Sequence, residues 1–171
     1  MERGVFSWRK KIWKKRMVCN ILCCMNIYEE TKMIMKKYGL NFKKKFGQNF
    51  LTSEEILEEI IEKAEISKDD IVLEIGPGIG TLTAKLLEKE AEVISVELDQ
   101  ELIIPLKDRF FMYDNFTIIS SDILKIDIYN EISNIMKKKE IDIEKKKIKV
   151  VANIPYYITT PIIFKLLEIG I

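Results

Sequence analysis

The sequence predicts a doubly wound α/β sheet, and three observations support that prediction. Short apolar runs alternate with longer amphipathic segments along the body of the chain. The first strand-like run ends in a glycine loop, Gly76-Pro77-Gly78-Ile79-Gly80, which leads directly into a helical pattern. Polar residues follow the ends of the later runs, where the ligand crevice of such a sheet lies. At 171 residues, with 47% apolar and 32% charged residues, the chain suits one domain of ordinary size.

The amino-terminal stretch differs in composition from the rest. Residues 1 to 27 place a basic segment before a short apolar one, which Asn20 interrupts. The apolar run falls below the ~18 residues that span a bilayer, and no small-residue cleavage site follows it. We interpret residues 1–27 as an extension outside the fold and residues 28–171 as the folded domain. A weak membrane-surface anchor and a basic arm for nucleic acid remain alternatives for the extension.

Composition excludes several kinds of chemistry. The chain has no histidine, so a histidine general base and histidine-containing metal sites are excluded. Its three cysteines, Cys19, Cys23 and Cys24, all lie in the extension, and a cysteine-free body is typical of the reducing cytoplasm. Because 28 basic residues face 27 acidic ones, a basic binding surface must be sought in local clusters. We expect a cytoplasmic protein with no metal and no membrane partner.

The remaining elements follow in chain order. An amphipathic helix over Tyr28–Lys37 is ended by Gly39. After a lysine-rich loop, Thr52 and Glu55 form a capping box that begins a second helix. Thr160 and Pro161 predict the cap and first residue of the last helix. The elements between are predicted as strand Ile71–Ile75, helix Leu82–Lys89, strand Glu92–Glu97, helix Glu101–Phe111, strand Phe116–Ser120 and strand Lys147–Asn153.

The glycine loop predicts a ligand site at the start of the following helix. Gly76 and Gly78 allow a sharp turn and a close approach of the backbone to a ligand, where free N–H groups favour an anion. The third glycine of a dinucleotide fingerprint would fall on Thr81, so the spacing disfavours a nicotinamide cofactor. A different nucleoside ligand is therefore favoured.

Two acids at strand ends suit the ribose and the base of such a ligand. Glu97 ends the next strand about twenty residues on, where a carboxylate accepts hydrogen bonds from both ribose hydroxyls. Asp122 follows the third strand and can accept from an adenine amino group. The alternatives are a solvated strand-end acid for Glu97 and a helix cap for Asp122.

The segment Asn153-Ile154-Pro155-Tyr156 follows the apolar run of the fourth strand. The side-chain oxygen of Asn153 and the carbonyl of Ile154 can accept both hydrogens of an exocyclic amine. Pro155 adds rigidity, and the ring of Tyr156 supplies a stacking face. These residues predict a cleft for a flat base with an exocyclic amine, which becomes a methyl acceptor if a methyl donor lies beside it.

These residues resemble a family, the ribosomal RNA adenine N6-dimethyltransferases that use S-adenosylmethionine. The resemblance covers the chain from about Tyr28 to Ile171. Its most specific pieces are Phe46-Gly47-Gln48-Asn49-Phe50-Leu51, Glu74 to Thr83, Val96 to Asp99, Ser121 to Leu124, and Asn153 to Pro161. It implies a Rossmann-like class I methyltransferase sheet, an enzyme that dimethylates adenosines of small-subunit ribosomal RNA, and a role in ribosome biogenesis.

The resemblance also implies roles for individual residues. Asn49 and Leu51 would close over the methionine part of the donor, and Gly76 would lie against its backbone. Glu97 would hold the ribose and Asp122 the adenine, with Gly78 in the same loop as Gly76. The resemblance further implies an acceptor site formed by Asn153, Pro155 and Tyr156, in which Asn153 would contact the donor as well. Lys43, Lys44 and Lys45 would line the approach of the RNA phosphates, and a solvated loop is the alternative for them.

The chain departs from the family pattern at its carboxyl end. The resemblance implies further strands and a small helical domain, which this sequence does not contain. We therefore expect an incomplete sheet, impaired activity, and a monomer when complete. The alternatives are a large-subunit methyltransferase of the macrolide-resistance type and a non-catalytic RNA-binding assembly factor. The amino-acid sequences of Phe46–Leu51 and Asn153–Pro161 favour the small-subunit enzymes.

Overall fold

A computed structural model of the chain describes residues 26–40 and 53–171. Helices and strands alternate from the first strand onward, and one of these helices, Ile128–Lys138 between the third and fourth strands, was not among the elements that the sequence predicted. The helices are α1 Ile27–Tyr38, α2 Glu54–Lys63, α3 Thr81–Glu88, α4 Gln100–Phe110, α5 Ile128–Lys138 and α6 Tyr156–Glu168. The strands are β1 Asp70–Ile75, β2 Glu92–Glu97, β3 Phe116–Ser120 and β4 Lys147–Ala152, with a short 3-10 helix, Ile143–Lys145, before β4.

The four strands form one parallel sheet in the order β3-β2-β1-β4. The chain adds β2 and β3 on one side of β1 and then returns to place β4 on the other side. Ile75 pairs with both Val96 and Ala152, so the carboxyl ends of the three adjacent strands are level. A crevice is expected where the strand order reverses, next to the ends of β1 and β4. The predicted doubly wound sheet is confirmed.

Two apolar cores cover the two faces of the sheet. Because alternate strand residues point to opposite faces, Val72 joins one core while Ile71 and Leu73 join the other. Helices α1 to α4 pack on the first face, and α5 and α6 pack on the second. All six residues of β1 are buried, as expected for a strand with a neighbour on each side and helices on both faces.

Helix α1 begins and ends on clear local signals. The side chain of Asn26 accepts a hydrogen bond from the Glu29 backbone N–H at 2.9 Å, which caps the first turn. Gly39 ends the helix in the left-handed conformation, with φ of 63°, as predicted. The start lies one residue before the predicted one, at Ile27.

The predicted capping box at the start of α2 is wrong. The cap is Ser53, whose hydroxyl accepts from the backbone N–H of Ile56 at 3.5 Å. Glu55 therefore occupies the second helical position rather than the third, where it would have closed the box with Thr52. Because the cap is Ser53, the first turn begins one residue later than predicted.

The predicted start of the last helix is also wrong. Helix α6 begins at Tyr156, with Pro155 as the extended residue before it, and Pro161 lies inside the helix. Pro161 has no N–H and leaves one helical bond unmade. Ile158, Ile162 and Leu166 follow at a spacing of four and pack in the second core, so burial of this face outweighs the local signal.

The far edge of the sheet and the outer face of α6 are accessible. Within the described residues, β4 pairs only with β1. Large apolar side chains of α6 are exposed, namely Tyr156, Tyr157, Ile163, Phe164 and Leu167. Among residues 26–40 and 53–171, no helix has the length and apolar character needed to cross a membrane.

Candidate active site

A cleft lies at the carboxyl end of the sheet, where the crevice was expected. Residues that follow β1, β3 and β4 line it together with the end of β2. Six predicted site residues meet in its lining: Gly76, Gly78, Glu97, Asp122, Asn153 and Pro155. The sheet topology thus brings together residues that are up to 79 positions apart in the sequence.

The glycine loop forms one wall of this cleft. The backbone N–H of Gly76 donates to the carbonyl of Val96 at 3.0 Å, and that of Gly80 donates to Pro77 at 2.9 Å. Gly80 has φ of +86°, and a Cβ built on it would lie 2.5 Å from the ring of Phe110. Only glycine fits this position, both for its backbone conformation and for the space behind it.

Glu97 is buried and faces the loop. Its Oε1 accepts from the backbone N–H of Asp99 at 2.8 Å, and its Oε2 accepts from that of Gly78 at 3.2 Å. Burial raises the pKa of Glu97 above its ordinary value, although these hydrogen bonds oppose the rise. The backbone of Leu98 also contributes a hydrogen bond, and a carboxylate has about four acceptor sites, so acceptor capacity remains for a ligand hydroxyl.

Glu74 is a buried acid beneath the loop whose role the sequence reasoning did not single out. Its Oε2 accepts from the hydroxyls of Thr83 at 2.7 Å and Ser95 at 2.6 Å, which joins β1, α3 and β2. Its Oε1 has no hydrogen-bond partner among the described residues. Burial, with a smaller contribution from Glu97, raises the pKa of Glu74 to about 7. The available signal was one carboxylate in the otherwise apolar interior of a central strand.

Asp122 accepts a hydrogen bond within a turn and also lines the cleft. Its Oδ1 accepts from the backbone N–H of Leu124 at 3.0 Å, and its Oδ2 lies 3.5 Å from the ammonium of Lys125. The cap of α5 is Asp127, so Asp122 is not a helix cap. Its carboxylate has acceptor sites left for a ligand, and the adenine contact stays a prediction.

The predicted acceptor segment follows β4. Asn153, Ile154 and Pro155 line the cleft, and a Cβ built on Gly76 would lie 3.4 Å from Cγ2 of Ile154. The loop after β1 and the loop after β4 are therefore in close contact. Tyr156 is 97% exposed and is not part of the cleft lining, whereas Tyr157 is. The stacking role of Tyr156 stays a prediction.

Five predicted contacts lie outside the described residues. They are Asn49 and Leu51 for the donor and Lys43, Lys44 and Lys45 for RNA. These assignments also stay predictions. In the part of the chain that the structure describes, there is no cluster of three or more side chains suited to hold a metal ion.

The parallel sheet, the glycine loop and the buried acid at the end of β2 define a Rossmann-like fold, and two solved methyltransferase structures resemble it. A dimethyladenosine transferase from Plasmodium falciparum is 35% identical, with a TM-score of 0.54 over 70% of this chain and 38% of that chain. The 23S rRNA methyltransferase ErmE is 30% identical, with a TM-score of 0.57 over 71% of this chain and 44% of that chain. The predicted methyltransferase fold is confirmed.

A family model described as ribosomal RNA adenine dimethylase matches residues 39–171, and the chain belongs to this family. The family is S-adenosylmethionine-dependent, as the resemblance implied. A curated relative from Clostridium acetobutylicum, named ribosomal RNA small subunit methyltransferase A, is 49% identical over 140 residues. The match covers 82% of this chain but 47% of that relative. The chain spans about half the length of the curated relatives it matches.

Proposed function

We propose that this chain carries the donor site and the acceptor cleft of an enzyme that dimethylates N6 of adenosines in small-subunit ribosomal RNA. S-adenosylmethionine would be the methyl donor. The supporting observation is the meeting of the glycine loop, Glu97 and Asp122 with Asn153 and Pro155 in one cleft. Donor-type and acceptor-type residues lie on neighbouring loops that line the same cleft, as direct group transfer between two bound molecules requires.

The donor half of the cleft fits a charged nucleoside. Glu97 offers its remaining acceptor capacity to a ribose diol, and Asp122 offers a carboxylate to an adenine amino group. The first turn of α3 presents backbone N–H groups behind the loop, where a carboxylate such as that of methionine is favoured. When bound, the donor supplies a sulfonium methyl group that an incoming nitrogen lone pair can attack.

The acceptor half would orient the target adenine. Its N6 lone pair is conjugated with the ring and is a poor nucleophile. Hydrogen bonds from the two amine hydrogens to the Asn153 side-chain oxygen and the Ile154 carbonyl favour a more pyramidal nitrogen that faces the methyl group. Since the positive charge of the donor disappears during transfer, positioning is the main contribution of these residues. The base must be unpaired or turned out of its helix to reach the cleft.

The comparisons favour small-subunit over large-subunit RNA as the substrate. The curated small-subunit relative is 49% identical, whereas the structure of the 23S rRNA enzyme is 30% identical. A non-catalytic binding factor would need neither the contact of Glu97 with a ribose diol nor the glycine loop that Glu97 contacts. We further propose that the protein works in the cytoplasm as a monomer, with residues 28–171 as its folded domain and lysines 43–45 on the RNA approach.

Donor binding tests the proposal directly. Calorimetry with S-adenosylmethionine should show binding by this chain and a large loss in Glu97→Ala. Each charge-assisted hydrogen bond removed is worth about 1.5–3 kcal/mol, which is roughly a tenfold or greater change in Kd. Glu97→Gln keeps one acceptor oxygen for the loop. Its Kd for S-adenosylmethionine should therefore lie between those of the unmodified chain and Glu97→Ala.

The matched control is Glu88→Ala, because Glu88 is an exposed acid at the far end of α3. It should leave Kd unchanged. Unfolding of each variant is measured in parallel, since Glu97→Ala also leaves the N–H groups of Gly78 and Asp99 without their acceptor. Unchanged donor affinity in a folded Glu97→Ala protein would refute the donor-site assignment.

A further inference from the structure

Arg109 links three separate parts of the chain behind the glycine loop. It lies in the last turn of α4, and its side chain is only 13% exposed. Its Nη1 donates to the carbonyl of Ile79 at 2.8 Å, and its Nη2 donates to Oε1 of Glu30 on α1 at 2.6 Å. The planar guanidinium can serve two acceptors at fixed angles, which a lysine cannot do.

The contact with Ile79 fixes one peptide plane of the loop. The carbonyl of Ile79 and the N–H of Gly80 belong to the same planar peptide unit. Arg109 holds its carbonyl side, and Pro77 accepts from its N–H side at 2.9 Å. Two residues earlier, the N–H of Gly78 is held by Glu97 at 3.2 Å. The loop is therefore held by a carboxylate on the cleft side and by a guanidinium at a second point.

The charges around Arg109 make the pair with Glu30 important. Burial lowers the pKa of Arg109, while the nearby carboxylates of Glu30 and Glu74 oppose that shift. Removing one partner from a buried ion pair leaves an uncompensated charge, which is far more costly than a lost surface pair. Glu30 therefore stabilises the cation that holds the loop, and it does so from a different helix.

The pair also fixes α1 beside the donor site. Glu30 lies ahead of residues 39–171, which the family model matches. Ile34 of α1 packs in the same core as Ile79 of the glycine loop. The chain leaves α1 at Gly39 and enters the segment that contains the predicted donor residues 49 and 51. The ion pair with Arg109 thus ties α1 to the glycine loop from a part of the chain that the family model does not match.

We propose that Arg109 is a positioning residue of the methyl-donor site, which it organises by joining Glu30 of α1 to the Ile79 carbonyl of the glycine loop. The proposal rests on the proposed function, because its ligand is the donor named there. It adds a residue that touches neither the donor nor the acceptor and that couples an amino-terminal helix to donor affinity.

The test compares Arg109→Lys and Glu30→Gln with a control on the same helix pair. Tyr38→Phe removes the contact with Asp108 without touching the loop and is therefore the matched control. Three quantities are measured: Kd for S-adenosylmethionine, the melting temperature, and the hydrogen-exchange rate of the Gly80 amide without donor. Arg109→Lys should weaken binding about tenfold, because a buried carbonyl loses its donor, and should speed exchange at Gly80.

A charge swap separates the ion pair from the loop contact. Glu30→Arg combined with Arg109→Glu can restore the pair, but a carboxylate cannot donate to the Ile79 carbonyl. We expect the melting temperature to recover in part relative to the single variants, while the affinity for S-adenosylmethionine stays low. Tyr38→Phe should leave both Kd and Gly80 exchange within about twofold of the unmodified chain. If Kd weakens in Tyr38→Phe as much as in Arg109→Lys, Arg109 has a general structural role and the proposal is overturned.

The exchange measurement distinguishes this proposal from the proposed function. If the unmodified chain fails to bind S-adenosylmethionine, the proposed function fails. Selective loss of Gly80 protection in Arg109→Lys, absent in Tyr38→Phe, would still support a loop-positioning role. Unchanged protection and unchanged Kd in both Arg109→Lys and Glu30→Gln would refute that role, and both conservative variants keep the test valid if the swap does not fold.

Discussion

Replacement of Glu74 by glutamine should remove a pH dependence from the stability of the domain. The carboxyl group is buried, its Oε2 accepts two hydroxyl hydrogen bonds, and its Oε1 has no partner among the described residues. Burial favours the protonated acid over the carboxylate here, and the attraction of the Arg109 cation opposes that preference only in part. Glutamine has the same shape, is neutral at every pH, and keeps an oxygen that can accept from Thr83 and Ser95.

The magnitude follows from the pKa of Glu74 in the two states. Burial raises it from 4.5 to about 7 in the folded chain. At ~1.4 kcal/mol per pKa unit, this gap corresponds to about 3 kcal/mol of unfolding free energy. The folded state binds the proton more tightly, so the contribution is complete below about pH 4.5, falls as the pH rises, and is lost above about pH 7.

Urea unfolding at several pH values between about 5 and 8 measures this effect. The difference in unfolding free energy between the original chain and Glu74→Gln should change by up to about 3 kcal/mol across this pH range. The variant should gain stability relative to the original chain as the pH rises. Titrating groups that do not interact with Glu74 are present in both proteins and cancel in the difference, and the coupling to Glu97 is a smaller contribution than burial. Glu88→Gln, at an exposed acid, should leave the pH profile unchanged. Parallel profiles for Glu74→Gln and the original chain would refute the reasoning.

Two further predictions concern the loops that frame the cleft. Gly80→Ala should destabilise the domain by more than Gly39→Ala, because both glycines have positive φ but only a Cβ at Gly80 meets another group, the ring of Phe110 at 2.5 Å. Thermal or urea unfolding should show a loss of unfolding free energy of about 1–2 kcal/mol for Gly39→Ala and a further ~1–3 kcal/mol for Gly80→Ala. Equal losses in the two variants would contradict the steric argument. Asn153→Ala should abolish methyl transfer to ribosomal RNA while changing the unfolding free energy by only about 1 kcal/mol. Substantial turnover in that variant would show that its side-chain oxygen does not orient the base.

The sequence predicted the parts of the site that depend on local pattern and topology. Buried parallel strands appear as continuous apolar runs, and residues that follow them meet at one edge of the sheet. That rule was enough to bring Gly76, Glu97, Asp122 and Asn153 together from separate segments. No side-chain geometry was needed, because strand order and direction alone determine which loops share the edge.

The features that sequence reasoning missed depend on packing between distant elements. Arg109 and Glu30 are 79 residues apart, and neither has a local signal that distinguishes it from a solvated charge. The same limit explains the error at Pro161. Its local rule predicts a helix start, but burial of the α6 face against the sheet decides where the helix runs. Local signals cannot report which of two competing interactions gains more from tertiary contact.

The arrangement around the glycine loop bears on how binding energy is used. A loop that must be ordered by its ligand spends part of the interaction energy on that ordering. Here Gly78 is held by Glu97, the Ile79 carbonyl by Arg109, and Gly80 by Pro77 before any ligand contact is counted. Because Glu97 would also hold the ribose, loop order and donor affinity are coupled through one carboxylate. A substitution of Arg109, which holds the loop at a point away from the ligand, is therefore expected to change donor affinity although Arg109 does not contact the donor.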